Sequence, residues 1–156
     1  MATFEGACVP GNPCYAGTVT MQAGSASGNV FEVNMVLNKL NTVIGAVSML
    51  VDFDPTFLSY QGFTKGTALG NGVQTIYIVT PTSGEVQISI TPGGGKSISS
   101  ADTMITLAFK ALKAGQSNLS FRNKDVNDGS VLYTTGGVVI PAGGSSGWSG
   151  GLVTAN

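Results

Sequence analysis

Few side chains in this sequence can do chemistry, and their spacing limits what they do. Cys8 and Cys14 stand in Ala-Cys-Val-Pro-Gly-Asn-Pro-Cys-Tyr. Pro10, Gly11, Asn12 and Pro13 are turn formers that fold the segment back on itself, so the pair reads as a disulfide across a short loop. Free thiols are the alternative. Two thiols without a histidine or a second pair do not complete a zinc site, and the spacing is not Cys-x-x-Cys. A disulfide would point to an oxidising compartment or an extracellular particle. Asp52 and Asp54 lie two apart on a strand and so share a face, as a carboxylate pair would. Glycosidase pairs, however, stand in a cleft among other polar groups, and Asp54 is better explained by the turn at Pro55. Residues 125–130, Asp-Val-Asn-Asp-Gly-Ser, are one residue short of a calcium loop and lack its closing glutamate, so they read as a hairpin turn. Gly93-Gly94-Gly95-Lys96-Ser97 lacks the spacing of a phosphate-binding loop. The chain has no histidine, which removes Ser-His-Asp and Cys-His catalysis and imidazole metal sites. We expect no enzyme, no catalytic residue, no metal site and no cofactor.

The elements around these residues come from a chain of 156 residues, which suits one domain with or without flanking segments. It holds 7 Lys and Arg against 8 Asp and Glu. Only 10% of residues are charged, against roughly 25% in an average soluble domain. The basic residues are scattered and build no phosphate-tracking surface, which argues against nucleic acid. No apolar run is long enough for a membrane-spanning helix, so no membrane insertion is expected. Met-Ala-Thr-Phe-Glu-Gly lacks the basic and apolar regions of a signal peptide; a signal has been removed, or the protein is made without one.

The hydropathy pattern is strand-like almost throughout. Residues 30–37 place Phe31, Val33, Met35 and Leu37 on one face. Residues 45–53 place Val47, Met49, Val51 and Phe53 on one face and Ala46, Ser48, Leu50 and Asp52 on the other. Residues 85–91 turn Val86, Ile88 and Ile90 inward and Glu85, Gln87, Ser89 and Thr91 outward. Further strands are expected over 18–22, 58–64, 74–80, 103–112, 117–122 and 130–140. About nine short strands separated by Gly, Pro and Asn turns predict an all-β fold, an antiparallel β-sandwich of jelly-roll type. Residues 1–16 read as an N-terminal extension and 17–141 as the domain. Residues 142–156 read as a Gly/Ser-rich C-terminal tail that carries Trp148, Leu152 and Val153 as contact residues.

Three segments occur in the order and spacing of the cohesin family. They are Phe31 to Asn41, Ile44 to Tyr60 and Thr103 to Phe121. The second resembles the family's Gly-Ala-x-x-x-x-φ-x-Tyr-Asp-Pro-x-x-Leu signature (φ apolar), with Phe53 in the tyrosine position. The third resembles its Leu-x-Phe…Ala-Gly-x-Ser-x-Leu run, through Leu107, Phe109, Ala114, Gly115, Ser117 and Leu119. Gly136 to Ile140 resembles the closing strand, so the likeness spans about residues 17–141. It implies a nine-strand jelly roll that binds a partner domain, dockerin, through one sheet face. Family contacts from Asn and Asp side chains fall at Ala46 and Ser48, which are small here. The signature itself is structural in physical terms. Pro55 fixes φ and ends the strand, Asp54 caps the turn and Leu58 re-enters the core.

We therefore expect a partner-binding face built on Ser48, Leu50, Gln87 and Ser89, whose sheet surface is nearly free of charge. Such a surface suits contact with another protein, since interface cores are depleted of charge. The first expectation is a non-catalytic structural or assembly protein, a subunit of an extracellular filament, surface layer or virion shell, as a homo-oligomer or larger assembly. The alternatives are a monomeric docking or adhesion module on a cell surface, or a carbohydrate-binding module.

Overall fold

The computed structural model describes residues 1–6, 18–38, 40–143 and 147–156. Cys8 and Cys14, and the disulfide expected between them, lie outside the described residues. The strands are β1 (Ala2–Gly6), β2 (Val19–Ser27), β3 (Val30–Leu37), β4 (Ile44–Asp52), β5 (Leu58–Lys65), β6 (Thr75–Thr82) and β7 (Glu85–Pro92). They continue with β8 (Asp102–Ala111), β9 (Gly115–Phe121), β10 (Val131–Thr134), β11 (Val139–Ile140), β12 (Trp148–Ser149) and β13 (Gly151–Ala155).

They form two sheets. One orders β12-β2-β3-β8-β5, and the other carries β1-β13-β9-β4-β10-β11 with β7 and β6 added beyond β4. The all-β sandwich expected from the alternating pattern is what the chain forms. The strand expected over 130–140 is two, β10 and β11, and the further strands β1, β12 and β13 come from the two ends of the chain.

Alternation decides which side chains meet between the sheets. Val47, Met49 and Val51 of β4 and Val86, Ile88 and Ile90 of β7 are buried there against Phe31, Val33, Met35, Leu107 and Phe109. Phe109 is the centre of an aromatic cluster, with ring centroids 5.9 Å from Phe31, 5.4 Å from Phe53 and 5.8 Å from Tyr60. The last two contacts are edge-on, the arrangement that ring quadrupoles favour.

The turn after β4 forms as its residue types require. Asp54 Oδ1 accepts from the Thr56 N–H at 2.9 Å and the Thr56 hydroxyl at 2.6 Å. The Asp54 carbonyl accepts from Phe57 and Leu58, and Leu58 is buried.

The expectation of a Gly/Ser-rich tail that offers Trp148, Leu152 and Val153 to a partner is corrected. β12 pairs in parallel with β2, and after Gly150 the chain crosses to the other sheet, where β13 lies between β1 and β9. Trp148 and Val153 are buried in the chain's own core, so they are not contact residues for a partner; Leu152 is half-buried. Glycine in this segment reflects close packing rather than linker composition. A Cβ at Gly147 would overlap the Ala142 carbonyl, and one at Gly150 the Leu119 carbonyl.

Candidate functional site, a sheet face

The pairing registers lay out the outer face of the larger sheet row by row, because residues directly opposite in a ladder share a face. Val131, Ser48, Ser89 and Ile78 form one row across β10, β4, β7 and β6. Leu50, Gln87 and Thr80 form the next. Ser120, Asp52, Glu85 and Thr82 form the last, across β9, β4, β7 and β6. The four residues expected at a partner-binding face, Ser48, Leu50, Gln87 and Ser89, thus lie together. With Ile78, Thr80 and Asp128 they line a shallow groove of about 320 Å³.

Sequence reasoning missed the last three. The β-branched run of β6 does not by itself say which side faces out. In the structure Ile76 and Ile78 are 57% and 58% exposed, while Tyr77 and Val79 pack against the core. Asp128 reaches the groove from a turn about forty residues further along the chain. It has a left-handed φ of 65°, and its N–H donates to the Tyr133 hydroxyl at 3.3 Å.

Apart from Asp128, which lines the groove, charge on this face gathers at one end. Arg122 Nε donates to Asp52 Oδ2 at 3.0 Å. Its two terminal nitrogens lie 3.0 Å from Asp52 Oδ1 and from Glu85 Oε2. Those two oxygens are buried and receive no aligned hydrogen bond, so the contact is held by Coulomb attraction. The hydrogen bond to Asp52, then the charges of Asp52 and Glu85, raise the pKa of the guanidinium. Asp52 therefore serves this ion pair and Asp54 its turn, and the two do not act as a carboxylate pair.

A split in the sheet lies behind the groove. β4 pairs with β7 along residues 47–52, but its other edge is shared between β10 at 44–48 and β9 at 51–52. Leu50 sits at the change-over. Its N–H donates to the Ser130 hydroxyl at 3.0 Å, and its carbonyl accepts the Arg122 N–H at 2.9 Å. Ser130 is fully buried.

Residues 125–130 are not an open loop. The Asp125 carboxylate accepts from the Ala142 N–H at 3.1 and 3.0 Å, the Gly143 N–H at 3.1 Å and the Trp148 indole N–H at 2.8 Å. Among the described residues no group of three or more His, Cys, Asp or Glu is placed to hold a metal ion, and no helix is long and apolar enough to cross a membrane.

A family model described as the cohesin domain matches residues 17–140. No curated protein matches the chain. Among solved structures, the chain is similar to a type II cohesin from Acetivibrio cellulolyticus solved in a cohesin–X-dockerin complex. That match has a TM-score of 0.65 at 18% identity and covers 81% of this chain and 92% of that one. It is also similar to a non-cellulosomal cohesin from Archaeoglobus fulgidus, with a TM-score of 0.58 at 16% identity, covering 79% and 83%. A cohesin module from a family 33 glycoside hydrolase of Clostridium perfringens matches with a TM-score of 0.61 at 11% identity, covering 80% and 88%.

Proposed function

The chain belongs to the cohesin domain family, and from that premise we propose that it is a non-catalytic docking module whose β4-β7-β6 face seats one protein partner. The observation that carries this reading is the make-up of that face. Its central rows hold Ser48, Ser89, Leu50, Gln87 and Thr80, flanked by the exposed Ile76 and Ile78. The Asp52–Glu85–Arg122 cluster stands at one end. Apart from Asp128 in the groove, this is an apolar and polar centre with charge at the rim, the general anatomy of a protein interface.

The partner by analogy is a dockerin, as in the type II complex. Small side chains at Ala46 and Ser48 leave room for bulkier partner groups than a face lined by Asn and Asp. Action outside the cell or on its surface follows from the same analogy. A virion shell and a carbohydrate ligand gain no support from these relatives.

The test is capture by immobilised dockerin modules, with wild type compared to Ile78→Asp and Leu50→Arg. We expect a one-to-one complex for wild type that both variants lose. Capture that survives both changes would remove this face from the interaction.

A second reading, assembly of many copies into a filament or surface layer, rests on β6. This is the outermost strand of its sheet, pairs only with β7 among the described residues and exposes Ile76 and Ile78. Such an edge offers a neighbour a row of backbone groups, although Pro81 interrupts it. Size-exclusion chromatography with light scattering separates the readings. Species that grow with concentration favour assembly, and a monomer at all concentrations favours docking.

A further inference from the structure

We infer that the C-terminal segment is a positioning element of the docking face and acts on Leu50 through the loop of residues 122–130. The path is three hydrogen bonds long. The Trp148 indole donates to Asp125 Oδ1 at 2.8 Å. The Asp125 N–H donates to the Ser130 carbonyl at 2.8 Å. The Ser130 hydroxyl accepts the Leu50 N–H at 3.0 Å. Trp148 lies in the core and does not line the groove, whereas Leu50 does.

Two features make the loop a bracket rather than a slack connection. Asn123, Asp125 and Asp128 all adopt left-handed φ values, of 53°, 59° and 65°. Asn and Asp adopt such values more readily than other residues with a Cβ, and here bonds at Asp125 and Asp128 hold the loop in them. The Ser130 N–H also bonds back to the Arg122 and Asn123 carbonyls at 3.1 and 3.0 Å. One end of the bracket holds Leu50 through Arg122 and Ser130, and Asp125 holds Ala142, Gly143 and Trp148 at the other.

β4 needs this support because it has no continuous neighbour on that side. At Leu50 the ladder passes from β10 to β9, and Ser130 and Arg122 supply the hydrogen bonds that a neighbouring strand would otherwise give. If the bracket is loosened at Trp148, the backbone under the centre of the face loses its fixed position. A preorganised face binds more tightly than one that must be ordered on contact.

The effect on binding rests on the docking reading, but the coupling itself does not. Native-state amide exchange by NMR on the full chain tests it in wild type, Trp148→Phe and Asp125→Asn. Trp148→Phe keeps a ring beside Phe121 and removes the indole N–H together with the volume of the second ring. We expect Leu50 to exchange roughly tenfold faster in both variants, while Val33 and Ile88 keep their protection. Leu50 rates within about twofold of wild type, or equal acceleration of all core amides, would overturn the inference. Asp125→Asn gives the same readout should Trp148→Phe fold poorly. Dockerin capture is then measured on the same proteins. Loss of capture in Ile78→Asp with unchanged Leu50 exchange keeps both statements. Capture that survives Ile78→Asp sinks the docking reading and leaves the coupling result standing.

Discussion

The Trp148 indole N–H donates to Asp125 at 2.8 Å, and Phe121 packs edge-on against the same ring with centroids 5.1 Å apart. This pair ties the last strands to the body of the sandwich. Trp148→Ala empties a fully buried site and should cost about 3–5 kcal/mol. Trp148→Phe loses a hydrogen bond to a charged group and the volume of one ring, and should cost about 1–3 kcal/mol. Urea titrations followed by tyrosine fluorescence or circular dichroism measure both, and a cost near zero for Trp148→Phe would show that the indole N–H contributes nothing.

Gly150→Ala should destabilise by about 1–3 kcal/mol, because its methyl would overlap the Leu119 carbonyl where the chain changes sheets. Gly136→Ala, with room at its Cβ position, is the matched control and should shift stability by less than about 0.5 kcal/mol. Thermal melts of the two side by side decide the matter.

Arg122→Met should lower the urea midpoint, since it leaves Asp52 and Glu85 adjacent without their shared cation. Arg122→Met combined with Asp52→Asn should recover part of the loss, because the like-charge contact goes with it. A double-mutant cycle measures the coupling. Full additivity would show that the ion pair is immaterial.

Acid sensitivity should be traceable to Asp54. The Thr56 hydroxyl, then the Thr56 N–H, hold its carboxyl below the usual range. A lowered folded pKa means a stabilising contribution that is complete above the ordinary carboxylate pKa and disappears as pH falls through the folded value. Asp54→Asn should therefore weaken the protein at pH 7, and the gap to wild type should close below about pH 4. Tyr60 and Tyr77 act at the opposite limb. Burial raises both phenols, so their contribution is complete below about pH 10 and is lost as pH rises further. Denaturant midpoints across a pH series check both signs.

The alternation of β4 and β7 placed Ser48, Leu50, Gln87 and Ser89 on one outward face, and period-2 patterning carries that information locally. What escaped was non-local. Asp128 and Ser130 reach β4 only because the sheet splits beside Leu50, a consequence of pairing between strands far apart in sequence. The end of the chain misled for a related reason. Gly147 and Gly150 have linker composition, and only a fold that presses them against the Ala142 and Leu119 carbonyls shows that they are there for want of space. Trp148 was a hint of burial, but nothing local to it names Asp125 as its partner.

β1 closes the sheet edge remote from β6, and its first residue meets the last. Ala2 stands opposite Ala155, and the Asn156 N–H donates to the Met1 carbonyl at 3.2 Å. Any tether joined to either end leaves from a single corner, with β13, β9, β4 and β7 between it and β6. A pull on one end along the strand axis would shear β13 or β1 against its neighbours, engaging the hydrogen bonds of the ladder together. A pull between the two ends would instead unzip β1 from β13.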